Sequence, residues 1–280
     1  MEVYGYKIDN IKTSFVISNH ILALFSFNYI ENYSDIITLI FLYQLSALGI
    51  TAGLHRLWSH RSYKAKLPTR FLLMLLESSC FQTDIFNWVK THRVHHKFSD
   101  TEKDPHNINN GIFFAHIGWV LVKRDETILE EQEKIDILDL KNDPIAILDN
   151  YLWPYDDFFM CYILPSIYTL YYENSFMKGF LLYGCLKWIL VSHATWCVNS
   201  FAHMYGYRPF RKDIQSAENK WVSLLTVGEG WHNWHHTYPY DYACSDEGIF
   251  LRWNPTKLFI DILGFFGQTY DHKRKSIKKN

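Results

Sequence analysis

The chain has 280 residues, 48% hydrophobic and 20% charged, with 10 Trp, 19 Tyr, 20 Phe and a formal net charge of -1. That aromatic load excludes a disordered chain, and a mean hydropathy of -0.15 excludes an evenly lipid-embedded transporter. Near-neutral charge leaves no bulk basic field, so nucleic acid is not an expected partner. The five cysteines (Cys80, Cys161, Cys185, Cys197, Cys244) are odd in number and form no C-x-x-C pair. This argues against a disulfide framework or zinc finger and fits a reducing compartment.

In chain order, the first apolar segment covers 13–30 and reads as a retained anchor rather than a cleaved signal. The second, 36–54, carries no charge and is long enough to cross about 30 Å of hydrocarbon. Runs at 71–81 and 111–122 are too short to cross and read as helices on the membrane face or under the cytosolic domain. Residues 123–150 read as a charged, solvated connection. The third span, 158–172, is broken by Pro165, which neighbouring helices must accommodate; the fourth covers 176–198. Lys178 sits at its edge and is expected to snorkel, whereas Lys187 lies inside it and needs a polar partner. A basic tail follows at 273–279.

The 1–2 and 3–4 connections hold no Lys or Arg, while 55–157 carries thirteen, 201 onward eleven and the N-terminal segment two. The positive-inside rule then puts both termini and both long segments in the cytoplasm. The expected fold is an all-α membrane protein of one domain (1–280): four transmembrane helices capped by a mainly helical cytosolic domain from 55–157 and 201–272.

Nine of the fourteen histidines form a pattern. His55 and His60 lie in HRLWSH; His92, His95 and His96 form HRVHH; His203 closes NSFAH; His232, His235 and His236 form HNWHH. On a helix, positions i, i+3 and i+4 share a face, so each H-x-x-H-H points three imidazoles one way, and Asn199 and His203 do likewise. His55 and His60, five apart, stand about 140° around a regular helix. They suit one metal each, or a helix that ends between them. Nine imidazoles exceed a zinc site, and calcium or magnesium wants oxygen. A nitrogen-rich pair of sites favours a redox-capable first-row metal, iron foremost. Ligating imidazoles need carboxylate partners for their other N–H, and Glu229, Asp100 and Asp104 are candidates. His20 and His193 read as bundle residues, and His106, His116 and His272 as isolated ones.

ALGITAG-HRLWSHRSYKA, THRVHHKFS followed by DPHN, ATW-VNSFAH-YGYRPF and GEG-HN-HH-YPYDY resemble the membrane acyl-CoA desaturases of the stearoyl-CoA (delta-9) type, over residues 40–275. The resemblance implies a mushroom-shaped fold in the endoplasmic reticulum membrane, multi-pass with both termini cytosolic. It implies two iron ions held by His55, His60, His92, His95, His96, His203, His232, His235 and His236, with Asn199 reaching iron through water and no catalytic residue apart from this set. The implied reaction uses O2 to place a cis double bond at carbon 9 of a C16–C18 acyl-CoA. Electrons come from NADH through cytochrome b5 reductase and cytochrome b5, and the absence of a haem, flavin or Rossmann signature agrees with an external donor. The kinked acyl tunnel maps to Gln82, Trp88 and Thr195 beside Trp196, its far end to Tyr43 and Ala47, and the CoA contacts to Lys90, Lys123 and Arg124. Departures at Thr91, Thr83 and Lys12 bear on CoA binding. Alternatives are a di-iron hydroxylase or a desaturase of other regiochemistry, and a non-catalytic lipid-binding protein of the same fold. Di-zinc hydrolysis lacks the H-E-x-x-H carboxylate.

Overall fold

The computed structural model describes residues 2–3, 5–249 and 251–276, so the end of the basic tail, 277–279, lies outside the described residues. The chain is mainly helical; its strands are short antiparallel pairings, Glu2–Val3 with Tyr6–Lys7 and Lys64–Ala65 with Thr269–Tyr270. Helix α1 covers Asn10–Ser26, opened by Asp9, whose carboxylate accepts the Lys12 amide. Helix α2 runs Tyr33–Ser59 and starts in a capping box between Asn32 and Asp35. It continues past the expected end at 54 and carries the first histidine with it. Helices α3 (Leu67–Ser78) and α4 (Ile85–Phe98) follow.

The expected solvated connection at 123–150 is instead folded. Helices α5 (Glu126–Glu133) and α6 (Pro144–Leu152) bury Ile128, Ile145 and Ala146, apolar positions whose helical spacing the surrounding charges obscured. Helix α7 spans residues 155–173 and passes through a π segment, Phe159–Ile163, just before Pro165. The proline sits in the first turn of the segment that follows, where its missing N–H costs least. Helix α8 is Phe176–Met204; α9 (His232–Thr237) and α10 (Pro255–Phe265) complete the cap.

Among the described residues two helices, α2 and α8, are long and apolar enough to cross a membrane, with α1 and α7 packed against α8. Ile17, Ile21, Phe25, Ile37, Phe41, Ile167 and Leu170 are exposed on this bundle, an apolar belt that suits a membrane protein. Two glycines let neighbouring helices approach closely. A Cβ on Gly49 would stand 2.3 Å from the Glu77 amide nitrogen, and one on Gly179 would stand 2.3 Å from the Pro165 carbonyl. Lys178 does not snorkel: it is buried between Asp35 at 2.7 Å and Glu173 at 2.6 Å, because α2 and α7 bring carboxylates within its reach. Lys187 donates to the Ser79 carbonyl at 2.8 Å.

Candidate metal centre

The last eleven residues of α2, Gly49–Ser59, form a π-helix. Its wider turn links residues five apart, and the His60 amide bonds the His55 carbonyl at 3.1 Å. The two rings therefore meet edge to face, centroids 4.8 Å apart. This corrects the expectation of one metal each, which assumed a regular helix; His60 is the cap residue where the π-helix stops.

Helix α4 supplies His92, His95 and His96 after an N-terminus capped by Asp84, which accepts the Asn87 amide at 3.0 Å. The last turn of α8 supplies His203 and, one turn earlier, Asn199; α9 supplies His232, His235 and His236. All nine pattern histidines gather into two adjoining groups. His55, His60, His92, His96 and His235 form one; His95, His203, His232 and His236 form the other. Each H-x-x-H-H is divided between them, the i, i+4 pair going to one group and the intervening residue to the other.

The rings meet through Nε2. His55 and His235 approach to 3.0 Å, His96 and His235 to 2.9 Å, and His60 and His92 to 2.8 Å. In the second group His203 and His232 stand at 3.0 Å, His236 and His232 at 3.0 Å, and His95 and His236 at 3.3 Å. Burial, reinforced by the neighbouring imidazoles, holds His60, His92, His96, His232, His235 and His236 well below the usual histidine range. The rings are thus neutral, the form that ligates metal.

Carboxylates fix two of the tautomers: Asp104 lies 2.9 Å from His95 Nδ1 and Asp100 2.9 Å from His203 Nδ1, both as hydrogen bonds. Glu229 lies 3.0 Å from His55 Nδ1, an ion-pair contact without hydrogen-bond alignment. Histidines that donate through Nδ1 present bare Nε2 lone pairs toward the other rings. Nine imidazole nitrogens gathered in this way form a donor set that suits a nitrogen-preferring transition metal. Arg56, fully buried, holds Glu229 at 2.8 Å; with His55 it keeps that carboxyl below its ordinary range although burial opposes this.

A narrow cavity of about 60 Å³ opens from the imidazoles. His55, His92, His95, His232, Asn199 and Glu229 line the polar part of it; Ala47, Ile50, Val191, Ala194, Val198 and Trp88, with Thr51, Thr195 and Thr226 among them, line the rest. Gln82 stands behind this wall, donating to Thr195 Oγ1 at 3.0 Å and accepting from Trp88 Nε1 at 3.3 Å. Tyr43 donates to the Leu225 carbonyl, and Trp196 packs on His193 and Trp188; neither lines the cavity.

The basic candidates lie apart from it. Lys90 pairs with Glu133 at 2.8 Å, Lys123 is exposed, and Arg124 donates to Gln132 at 3.1 Å, its pKa pushed down to about 10 by burial. Thr91 accepts from Gln132 at 3.0 Å, Thr83 donates to Asp84 at 3.3 Å, and Lys12 lies 3.8 Å from Asp9.

The three histidines expected to stand isolated all have close partners. His106 lies tilted, 4.3 Å from His95 beside Asp104, His116 links His193 at 2.9 Å to Ser200 at 2.9 Å, and His272 lies 2.9 Å from Thr269 Oγ1. Sequence reasoning also missed Cys244, whose Sγ lies 3.5 Å from His235 Nδ1; no spacing signal points to it.

A family model described as fatty acid desaturase matches residues 35–243. Stearoyl-CoA desaturase 5 of Bos taurus is 45% identical over 235 residues, covering 84% of this chain and 70% of that protein. Stearoyl-CoA desaturase 2 of Rattus norvegicus is 46% identical over 237 residues, 84% of this chain and 65% of that protein. Acyl-CoA desaturase 1 of Tachysurus fulvidraco is 43% identical over 256 residues, 91% of this chain and 77% of that protein.

Proposed function

The chain belongs to the fatty acid desaturase family, and from that membership we propose that it is an oxygen-dependent acyl-CoA desaturase that forms a cis double bond at carbon 9 of C16–C18 acyl-CoA. The nine grouped histidines hold two irons, with Asn199 reaching one of them through water. When bound, the irons supply the redox chemistry by which O2, two electrons and two protons take two hydrogens from adjacent methylenes and leave as two waters. The electrons come from NADH through cytochrome b5. The protein is a multi-pass protein of the endoplasmic reticulum, with α1, α2, α7 and α8 crossing the bilayer and both termini cytosolic.

This chain's own residues do the positioning. Trp88 and Thr195, tied by Gln82, hold the acyl chain in one bent conformer against the imidazoles, so depth from the thioester sets the carbon attacked. Trp196 stands next to Thr195 at the bend, and Ala47 bounds the far end, with Tyr43 one turn before it on α2 and outside the cavity lining. The mostly apolar walls exclude water, while Lys90, Lys123 and Arg124 receive the polyanionic CoA. Asp100 and Asp104 hold protons on imidazole Nδ1 and keep each Nε2 free.

The observation that carries this reading is the convergence of all nine Nε2 atoms beside a cavity whose walls away from the imidazoles are mostly apolar. Expression in yeast lacking its own delta-9 enzyme tests it, with lipids read by gas chromatography. The chain is expected to restore monounsaturated acids, and His95→Ala to abolish rescue while the protein still accumulates. A hydroxylated product, or rescue by the variant, overturns the reading.

A further inference from the structure

Behind α4, away from the imidazoles, lies a cluster of opposite chemistry. Carboxylate oxygens of Asp149, Asp156 and Asp157 lie within 4.8 Å of one another. Glu77, at the end of α3, reaches the same cluster through Asp149. Asp149 and Asp157 are 0% exposed and Glu77 1%. Among the described residues, no lysine, arginine or histidine forms an ion pair with any of the four.

The carboxyls of Glu77 and Asp149 meet each other, while Asp156 Oδ1 and both oxygens of Asp157 are buried with no hydrogen-bond partner. The others are partly used. Asp149 Oδ2 accepts the Ile85 amide at 2.7 Å, and Asp156 Oδ2 accepts from Ser78 at 3.5 Å. Burial and mutual repulsion push the carboxyls of Glu77 and Asp149 upward, Asp149 to about 6.

Unpaired buried carboxylates are costly, so such a cluster takes up either protons or a cation. A proton shared between Glu77 and Asp149 serves one oxygen of each and leaves both oxygens of Asp157 bare. One small cation satisfies several oxygens at once and removes the repulsion among them. An all-oxygen donor set selects a hard ion, whereas the imidazole groups select a softer one.

We propose that Glu77, Asp149, Asp156 and Asp157 form a second metal site, for one hard divalent cation of the calcium–magnesium class. The ion ties three pieces together: the end of α3, helix α6, and the first turn of α7. Through Asp149 it also braces the N-terminus of α4, the helix that carries His92, His95 and His96. Its role is positional, and these carboxylates touch neither substrate nor iron.

The test uses the full chain, iron-loaded and purified in detergent. After dialysis against CaCl2 or MgCl2, bound metals are counted by mass spectrometry and thermal unfolding is followed. One equivalent of calcium or magnesium beyond iron is expected, with a higher melting temperature, and the two arms identify the ion. Asp149→Asn/Asp157→Asn is expected to keep its iron and to lose both the extra equivalent and the cation-dependent shift. If that variant does not accumulate, Asp156→Asn, at the more open rim, is expected to weaken the same cation dependence. No cation beyond iron at millimolar concentration, or a variant that retains the shift, overturns the proposal. So does a neutralised variant that is more stable than a wild type that takes up no ion, because the cluster is then held by protons. None of these readouts depends on desaturation.

Discussion

The His60 amide bonds the carbonyl of His55, five residues back, at 3.1 Å. In an α-helix the neighbour of His55 on the same face is Ser59; in this π turn it is His60. Exchanging the two side chains (Ser59→His, His60→Ser) keeps composition and restores the α-helical spacing. The variant is expected to lose iron from the five-histidine group and to fall in activity by more than the roughly 10–100-fold that losing an outer partner of a ligand costs. Metal counting and product assay check it; wild-type iron content would show that the wide turn is not required.

Glu229 joins His55 Nδ1 to a fully buried arginine, Arg56, whose other partners are neutral carbonyls and Asn254. Glu229→Gln keeps the shape and removes the charge, leaving Arg56 without an anion. Breaking a buried pair in this way costs about 3–5 kcal/mol. Iron retention against a chelator is expected to fall about 10–100-fold as His55 loses its charged neighbour. Thermal unfolding and chelator competition measure the two effects separately.

The histidines were legible because helical spacing carries them: H-x-x-H-H and N-x-x-x-H state which rings share a face. What those spacings do not state is the helix type. Nothing in GITAGLHRLWS signals i to i+5 bonding, so of the two expectations one metal each fails, while a helix that ends between His55 and His60 holds, Ser59 being the last helical residue and His60 its cap. Lys178 was likewise read from position, as a residue at a span edge, while its burial depends on Asp35 and Glu173, distant in sequence. The connection at 123–150 was misread because charge dominates its composition and masks the few apolar contacts that fold it. Asp100, Asp104 and Glu229 were nameable as candidates, but only packing assigns each to a particular ring.

Glu218, which the sequence reading passed over, sits 1% exposed and accepts the Trp234 amide at 2.8 Å, while its second oxygen is buried without a partner. Burial raises its carboxyl to about 7. The folded state therefore prefers the protonated form. Stability from this group is full below the ordinary carboxylate pKa and is lost as pH rises through about 7. Glu218→Gln removes that loss. Relative to wild type it is expected to gain up to about 3 kcal/mol above neutrality and nothing in mild acid. Melting temperatures of the pair between about pH 5 and pH 8 decide it; a constant difference refutes the assignment.

Thr195 accepts from Gln82 and donates to the Val191 carbonyl at 3.0 Å, so its hydroxyl serves both the cavity wall and the fold of α8. Thr195→Val is nearly isosteric and leaves the Gln82 amide searching for an acceptor. A hydrogen bond of about 1 kcal/mol corresponds to about a fivefold loss in kcat/KM. Double bonds are also expected at neighbouring carbons, because Gln82 and Trp88 no longer share a fixed wall. Mass spectrometry of derivatised products reads the distribution; a single unchanged position would assign the hydroxyl to helix packing alone.

Ala47 lines the cavity on α2, one turn beyond Tyr43, which the Leu225 carbonyl anchors, and is only 6% exposed. A side chain fixed this firmly cannot step aside, so Ala47→Ile takes its extra volume from the cavity. Forcing added carbons into packed space costs about 1–3 kcal/mol. An acyl chain two methylenes shorter avoids that overlap, since it ends before the obstruction. A discrimination of about 1.4 kcal/mol is tenfold, so the ratio of stearoyl to palmitoyl turnover is expected to fall by roughly that factor. The measurement is a competition between the two acyl-CoAs at equal concentration. A wild-type ratio in the variant means that the acyl terminus does not reach α2 and that the cavity wall at Ala47 has no part in selecting chain length.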